Sequence, residues 1–205
     1  MGKSSGGIRN SSRNDIVKVK GDGGTPSGVK NIGSIRDIVD KVSNREVKRA
    51  ISKYHSRVGL NTREVKIADL KNAYGIAAIS SSSNSGTVYL DRKSFNNSKT
   101  LIKAKKAEYK RGRKVETNKA IQHTTVHELA HVTWTNHHSG TKHKQAGKEI
   151  SKLYREYKRS KSNSLGEYAS TNVNEFYAEG MSKAILGKKD KYSSKLLSIT
   201  KKYKL

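Results

Sequence analysis

Thr125-Val126-His127-Glu128-Leu129-Ala130-His131-Val132 is the stretch on which the reading of this chain turns. On a helix of 3.6 residues per turn, His127 and His131 stand one above the other on a single face, with Glu128 beside them. Two neutral imidazoles suit zinc, and a carboxylate that is not itself a ligand can take a proton from metal-activated water. H-E-x-x-H on a helix is therefore the pattern of a zinc-dependent hydrolase, set against the plainer reading of two packing histidines on an amphipathic helix. The flanks favour a helix. Glu116 to His138 holds neither Pro nor Gly, Thr117-Asn118 offers a cap, and Ile121, Val126, Leu129, Ala130 and Val132 supply an apolar side.

Catalytic zinc takes three protein ligands and keeps one position open, so a third ligand has to come from elsewhere. Two residues compete. His137 follows His131 at the spacing of H-E-x-x-H-x-x-G-x-x-H, but Trp134 stands where that pattern has the Gly that lets the chain leave the helix sharply, and no Met-turn follows. Glu175, in Glu167-Tyr-Ala-Ser-Thr-Asn-Val-Asn-Glu-Phe-Tyr-Ala-Glu179, shares a helix face with Glu179 while Phe176 and Ala178 turn toward packing. Glu175 as ligand and Glu179 accepting a hydrogen bond from a ligand imidazole is the favoured arrangement, against an ordinary solvated acidic face.

These residues together resemble a known group. His127-Glu128-Leu129-Ala130-His131, followed by Tyr168-Ala-Ser-Thr-Asn172 and Glu175-Phe-Tyr-Ala-Glu179, is similar to the gluzincin catalytic domain of the anthrax lethal factor family. That family includes Pro-Pro endopeptidases, with similar domains in bacterial toxins and in phage head-morphogenesis proteins. The resemblance covers about residues 60 to 187 and extends upstream through Gly86-Thr-Val-Tyr-Leu-Asp-Arg-Lys-Ser-Phe95, which looks like the edge strand those domains place before the active-site helix. It implies His127, His131 and Glu175 as ligands of Zn2+, Glu128 as general base and acid, Glu179 as a carboxylate behind the ligands, and Tyr168 as a hydroxyl aimed at the oxyanion. An extended peptide substrate is expected to pair with Thr87 to Asp91, whose alternation suggests one buried and one exposed face. Gly180 departs from the pattern, because Gly within a helix costs about 1 kcal/mol relative to Ala.

The remaining sequence predicts an α+β, zincin-like fold: a small mixed sheet with an edge strand over the active-site helix, and a helical C-terminal half. Residues 1–30, rich in Gly, Ser, Asn and Lys, read as a flexible basic leader or linker, with residues 31–205 as the metallopeptidase domain. The apolar spacing from Asn31 to Val58 predicts two short helices broken near Ser43-Asn44. Val65 to Leu70 alternates like a strand, Tyr74 to Ile79 is ambiguous, and Ser80 to Gly86 reads as a loop. Helices are expected near Lys142 to Arg159 and Asn172 to Leu186, with a basic helix in the tail from Lys188.

The chain has 205 residues, with 43 Lys and Arg against 17 Asp and Glu, a formal charge of +26. Basic clusters at Lys99–Lys119, Lys142–Lys161 and Lys183–Lys204 point to contact with a polyanion such as nucleic acid, and Tyr109, Tyr154, Tyr157 and Tyr192 interleave with them as bases to stack on or as core contacts. There is no cysteine, hence no thiolate ligand or Cys nucleophile. No secretory h-region and no apolar run of membrane-spanning length appear, and neither does a phosphate-loop or dinucleotide fingerprint. The chain therefore reads as soluble, cytoplasmic or virion-associated, with non-classical export left open. The leading function is a zinc-dependent metalloendopeptidase acting on proteins or peptides, as a phage-borne or toxin-like effector. The alternatives are a DNA-binding or virion structural protein with a degenerate zincin fold, and a metal-binding domain that uses His137.

Overall fold

A computed structural model describes residues 16–19, 26–58, 64–80, 86–112, 119–135, 141–187 and 189–205. Five strands form one mixed sheet: β1 (Ile16–Val19), β2 (Val29–Ser34), β3 (Glu64–Leu70), β4 (Gly75–Ser80) and β5 (Gly86–Asp91), in the order β1-β4-β5-β3-β2. β1 runs parallel to β4 and β3 parallel to β5, while the β4–β5 and β2–β3 pairs are antiparallel. Among the described residues, seven α-helices accompany the sheet: α1 (Lys41–Val58), α2 (Arg92–Phe95), α3 (Ser98–Lys110), α4 (Ala120–Thr135), α5 (Thr141–Arg159), α6 (Val173–Leu186) and α7 (Lys191–Tyr203).

Residues that alternate along a strand point to opposite faces, and here both faces are apolar. Ile67, Ala77, Val88 and Leu90 join the main core under the helices, while Ala68, Ala78 and Tyr89 join Val29 and Leu70 in a smaller cluster on the other side. Over the main core lies α4, every residue of which is buried from Ala120 to Trp134. A helix buried around its whole circumference belongs at the centre of a domain, and α4, whose buried residues include Gln122, His123, His127, Glu128 and His131 beside the apolar ones, packs against α1, α6, β4, β5 and α3. α1 turns a stripe of Ser43, Val47, Ala50 and Tyr54 inward. It is pinned to α4 by the Tyr54 hydroxyl donating to Thr133 Oγ1 at 2.6 Å and by Lys53 donating to Gln122 at 2.9 Å.

Several expectations change. Thr87 to Asp91 is not an edge strand: β5 lies between β4 and β3, so its backbone is already paired on both sides and offers no ladder to a substrate. Nor does it have an exposed face, since Tyr89 enters the second cluster, and Asp91 is buried, accepting from Ser94 N at 3.0 Å to cap α2. Asn31 to Val58 is not two helices broken at Ser43-Asn44. Val29–Ser34 is a strand, Ile35–Asp37 a short 3-10 turn, and one unbroken α-helix begins at Lys41, where Asp40 Oδ1 accepts from Ser43 N at 2.9 Å. Asn31, at φ 49°, sits at a register shift between Lys30 and Gly33 that breaks the helical spacing.

The leader read over residues 1–30 gives way at two places, because β1 pairs with β4 and Val29 begins β2. The rest of that stretch, apart from residues 26–28, lies outside the described residues, as do the Thr117-Asn118 cap and most of the Ser80–Gly86 loop. The ambiguous stretch near Tyr74 is the strand β4. Gly180 also has a physical reason: a Cβ there would stand 2.2 Å from Leu196 Cδ1 of α7, so the glycine lets α7 pack directly on α6.

Candidate metal centre

α4 and α6 together build the site. His123, His127 and His131 recur one turn apart on α4, and Glu175 and Glu179 one turn apart on α6. Glu175 lies in the first turn of α6, where Asn172 caps the helix by accepting from Asn174 N at 2.9 Å and Glu175 N at 3.0 Å. A carboxylate there also gains from the positive end of the helix dipole. The two helices are clamped nearby by Trp134, which donates through Nε1 to Asn174 Oδ1 at 2.6 Å and stacks on Tyr177 with ring centres 5.4 Å apart.

Three donor atoms converge. His127 Nε2 lies 3.0 Å from His131 Nε2, and Glu175 Oε2 is 3.1 Å from the first and 3.3 Å from the second. All three residues are buried, and they form a group able to hold a metal ion. Behind them, Glu179 Oε1 lies 3.2 Å from His127 Nδ1. A carboxylate against Nδ1 favours the proton on that nitrogen and leaves Nε2 as a lone pair. That lone pair then faces a carboxylate oxygen and a second ring nitrogen at contact distance, so either a proton on His131 or a metal ion has to lie between them. Two imidazole nitrogens and one carboxylate oxygen are the donor set of a catalytic zinc site, so the residues fit the ion.

Burial pushes the Glu175 carboxyl up, but His131 and His127 reverse this and hold it below the usual carboxylate range. Glu179, fully buried, is likewise held well below that range by His123 and His127 against the cost of burial.

Glu128 is buried, and the strand β4 passes over it at Gly75. An added Cβ at Gly75 would lie 2.7 Å from Glu128 Cγ, so only glycine leaves room for the carboxylate in this position. Tyr168 sits in the 3-10 turn Glu167–Ser170, with its ring stacked at 6.1 Å on His127. The turn is tied down by Glu167 N donating to the Gly112 carbonyl at 2.9 Å and by the Tyr154 hydroxyl donating to Ser170 O at 2.8 Å.

The structure thus brings His127, His131, Tyr168, Glu175 and Glu179 together, with Glu128 following His127 on α4 and buried under Gly75 of β4, while His137 lies outside the described residues. Sequence reasoning missed three contributors. His123 was marked only by its i−4 spacing from His127, Asn174 by nothing local, and Gly75 by being a glycine at the start of a strand. The interleaved tyrosines are core rather than stacking surface: Tyr109, Tyr157 and Tyr192 are buried, and Tyr154 packs on Phe176 with ring centres 5.5 Å apart. Lys105, within the first basic cluster, is also buried, paired with Glu108 at 3.0 Å. Among the described residues, no helix is long and apolar enough to cross a membrane. Comparison with protein-family models, curated proteins and solved structures finds no match to this chain.

Proposed function

We propose that this protein is a zinc-dependent metalloendopeptidase with a zincin-like fold, similar in its site to the gluzincins of the lethal factor and Pro-Pro endopeptidase group. The carrying observation is the convergence of His127 Nε2, His131 Nε2 and Glu175 Oε2 within 3.0–3.3 Å of one another, with Glu128 next to the first ligand on the same helix. When bound, zinc supplies a Lewis acid that polarises a carbonyl and acidifies water. The chain supplies the rest. Glu128 takes the proton of the attacking water and returns it to the leaving amine. The Tyr168 hydroxyl donates a hydrogen bond as negative charge grows on the carbonyl oxygen. Glu179 fixes the His127 ring, and α4, closed in on all sides, keeps both imidazoles from swinging.

The test is cleavage of a broad peptide library with zinc content measured on the same samples. Glu128→Gln is expected to keep its zinc and lose about 10²–10⁴-fold in rate. Full activity in that variant would remove Glu128 from the mechanism and with it the peptidase reading.

A second reading, contact with a polyanion such as single-stranded nucleic acid, draws support from a cleft of about 560 Å³ beside Trp134. His143, Lys144, Lys148 and Arg155 line it. The acids of the same helix are engaged elsewhere, Glu149 with Lys202 at 2.7 Å and Glu156 with Lys191. Lys144→Glu with Lys148→Glu should weaken oligonucleotide binding and flatten its salt dependence, and an unchanged salt slope would exclude the cleft.

A further inference from the structure

We infer that His123 is a positioning residue for the metal centre: it holds the outer oxygen of Glu179 so that the inner oxygen stays on His127 Nδ1. The inference rests on the metal-centre reading above and extends it to a residue that touches neither ligand atoms nor substrate.

The geometry is a ladder of alternating imidazoles and carboxylates between two helices. Glu175 Oε2 meets His131 Nε2 at 3.3 Å and His127 Nε2 at 3.1 Å. One turn on, Glu179 meets His127 Nδ1 at 3.2 Å through Oε1 and His123 Nε2 at 3.0 Å through Oε2. His127 thus has a carboxylate oxygen within 3.2 Å of each ring nitrogen, and Glu179 an imidazole nitrogen within 3.2 Å of each oxygen. His123 and Glu179 are both fully buried at 0% exposure, so no water is at hand to take over a lost partner. The His123 ring is itself fixed edge-on by Tyr109 of α3, with ring centres 5.9 Å apart.

Consequences follow from the chemistry of a buried carboxylate. An anion there has to be hydrogen-bonded, because leaving it bare is costly. With Oε2 held, Glu179 has one orientation, and that orientation sets the tautomer and tilt of His127. With Oε2 released, Glu179 keeps only the contact of one oxygen with His127 Nδ1 and can rotate about it, so His127 loses its fixed direction toward the ion.

The chemistry also supplies a discriminating pair of variants. A glutamine amide nitrogen can stand near the place of Nε2, whereas an asparagine amide nitrogen corresponds to Nδ1 and falls short of Glu179. Both are polar and uncharged, and because Asn is one methylene shorter than Gln, native circular dichroism is required of each variant before its zinc affinity is compared. Zinc dissociation constants would be measured by chelator competition on the full chain, and the visible spectrum of the cobalt-substituted protein would report the geometry at the ion. His123→Gln should bind zinc within about threefold of the wild type, with an unchanged cobalt spectrum. His123→Asn should bind it about tenfold more weakly, with an altered spectrum, the lower end of the effect for partners that orient metal ligands. Equal zinc affinity and identical spectra for wild type, Gln and Asn variants would overturn the inference. So would equal weakening in both, which marks a merely structural histidine. If one variant does not fold, the other still decides: weakened binding by Gln, or unchanged binding by Asn, is enough to overturn it. A wild type that binds no zinc at all would overturn the proposed function itself, and this inference with it.

Discussion

Replacing Gly75 with alanine tests the placement of Glu128 without altering any side chain of the centre. The new Cβ would lie 2.7 Å from Glu128 Cγ and 3.1 Å from both Cδ and Oε1. Carbon atoms in contact sit at about 3.5–4.0 Å, so the intrusion is about 0.8–1.3 Å. The backbone of β4 cannot easily yield, because Gly75 is in register with Leu90 of β5 and the strand is held on its other side by β1 from Ala77 onward. Gly75 itself has no positive φ, so alanine adds no backbone strain. The Glu128 side chain therefore moves, by about 1 Å. Misplacing a catalytic group by that distance costs on the order of 10²-fold in rate, or about 2.7 kcal/mol of transition-state stabilisation. Nothing in the substitution touches His127, His131 or Glu175. The expected outcome is a kcat about 100-fold lower, with zinc content within twofold of the wild type and a native circular dichroism spectrum. Wild-type turnover in Gly75→Ala would refute the steric reasoning, and loss of zinc together with activity would mean that β4 supports the ligands rather than the base.

Two further predictions concern the helical half. Gly180→Ala should lower stability by about 1–2 kcal/mol in urea titrations, because the clash with fully buried Leu196 outweighs the gain of about 1 kcal/mol in helix propensity; a stabilised variant would show that α7 moves aside at no cost. Asp190 caps α7 by accepting from Ser193 N at 2.8 Å and pairs with Lys183 at 3.1 Å. Burial raises its carboxyl, but hydrogen bonds from Ser164, Ser193 and Lys183 prevail and lower it. A depressed folded-state value means stability that is present above the unfolded value of about 3.9 and lost as the pH falls through the folded one. Asp190→Asn keeps the cap but should lose less stability than the wild type between pH 7 and pH 3, and parallel losses in the two proteins would contradict this.

Local chemistry was legible in the sequence wherever one helix turn decides it. His127 and His131 share a face by geometry alone, and Glu175 and Glu179 likewise, so both halves of the candidate site follow from spacing. Their meeting across α4 and α6 is a long-range fact, suggested by the need for a third ligand and by the resemblance of the combined motifs. The sheet was less legible because the neighbours of a strand are not written in its own residues. Val88 and Leu90 against Tyr89 and Asp91 give the same alternation whether the second face meets solvent or a second small core, and here it meets Val29, Ala68 and Leu70. Ile32, Ile35 and Ile38 mimic a helical period, while the positive φ at Asn31 and the shift before Gly33 are backbone features that the period does not encode. His123 was overlooked because a buried histidine with an ion-pair partner looks like any other histidine until Glu179 is placed beside it.

The central claim is that His127, His131 and Glu175 form one metal site, and zinc content per folded chain tests it most directly. After dialysis against trace zinc, the wild type and Glu128→Gln should each carry about one zinc, because Glu128 is not a ligand, whereas Glu175→Ala should carry little or none. A wild type without zinc, or a Glu175→Ala variant that keeps its full complement, would contradict the account.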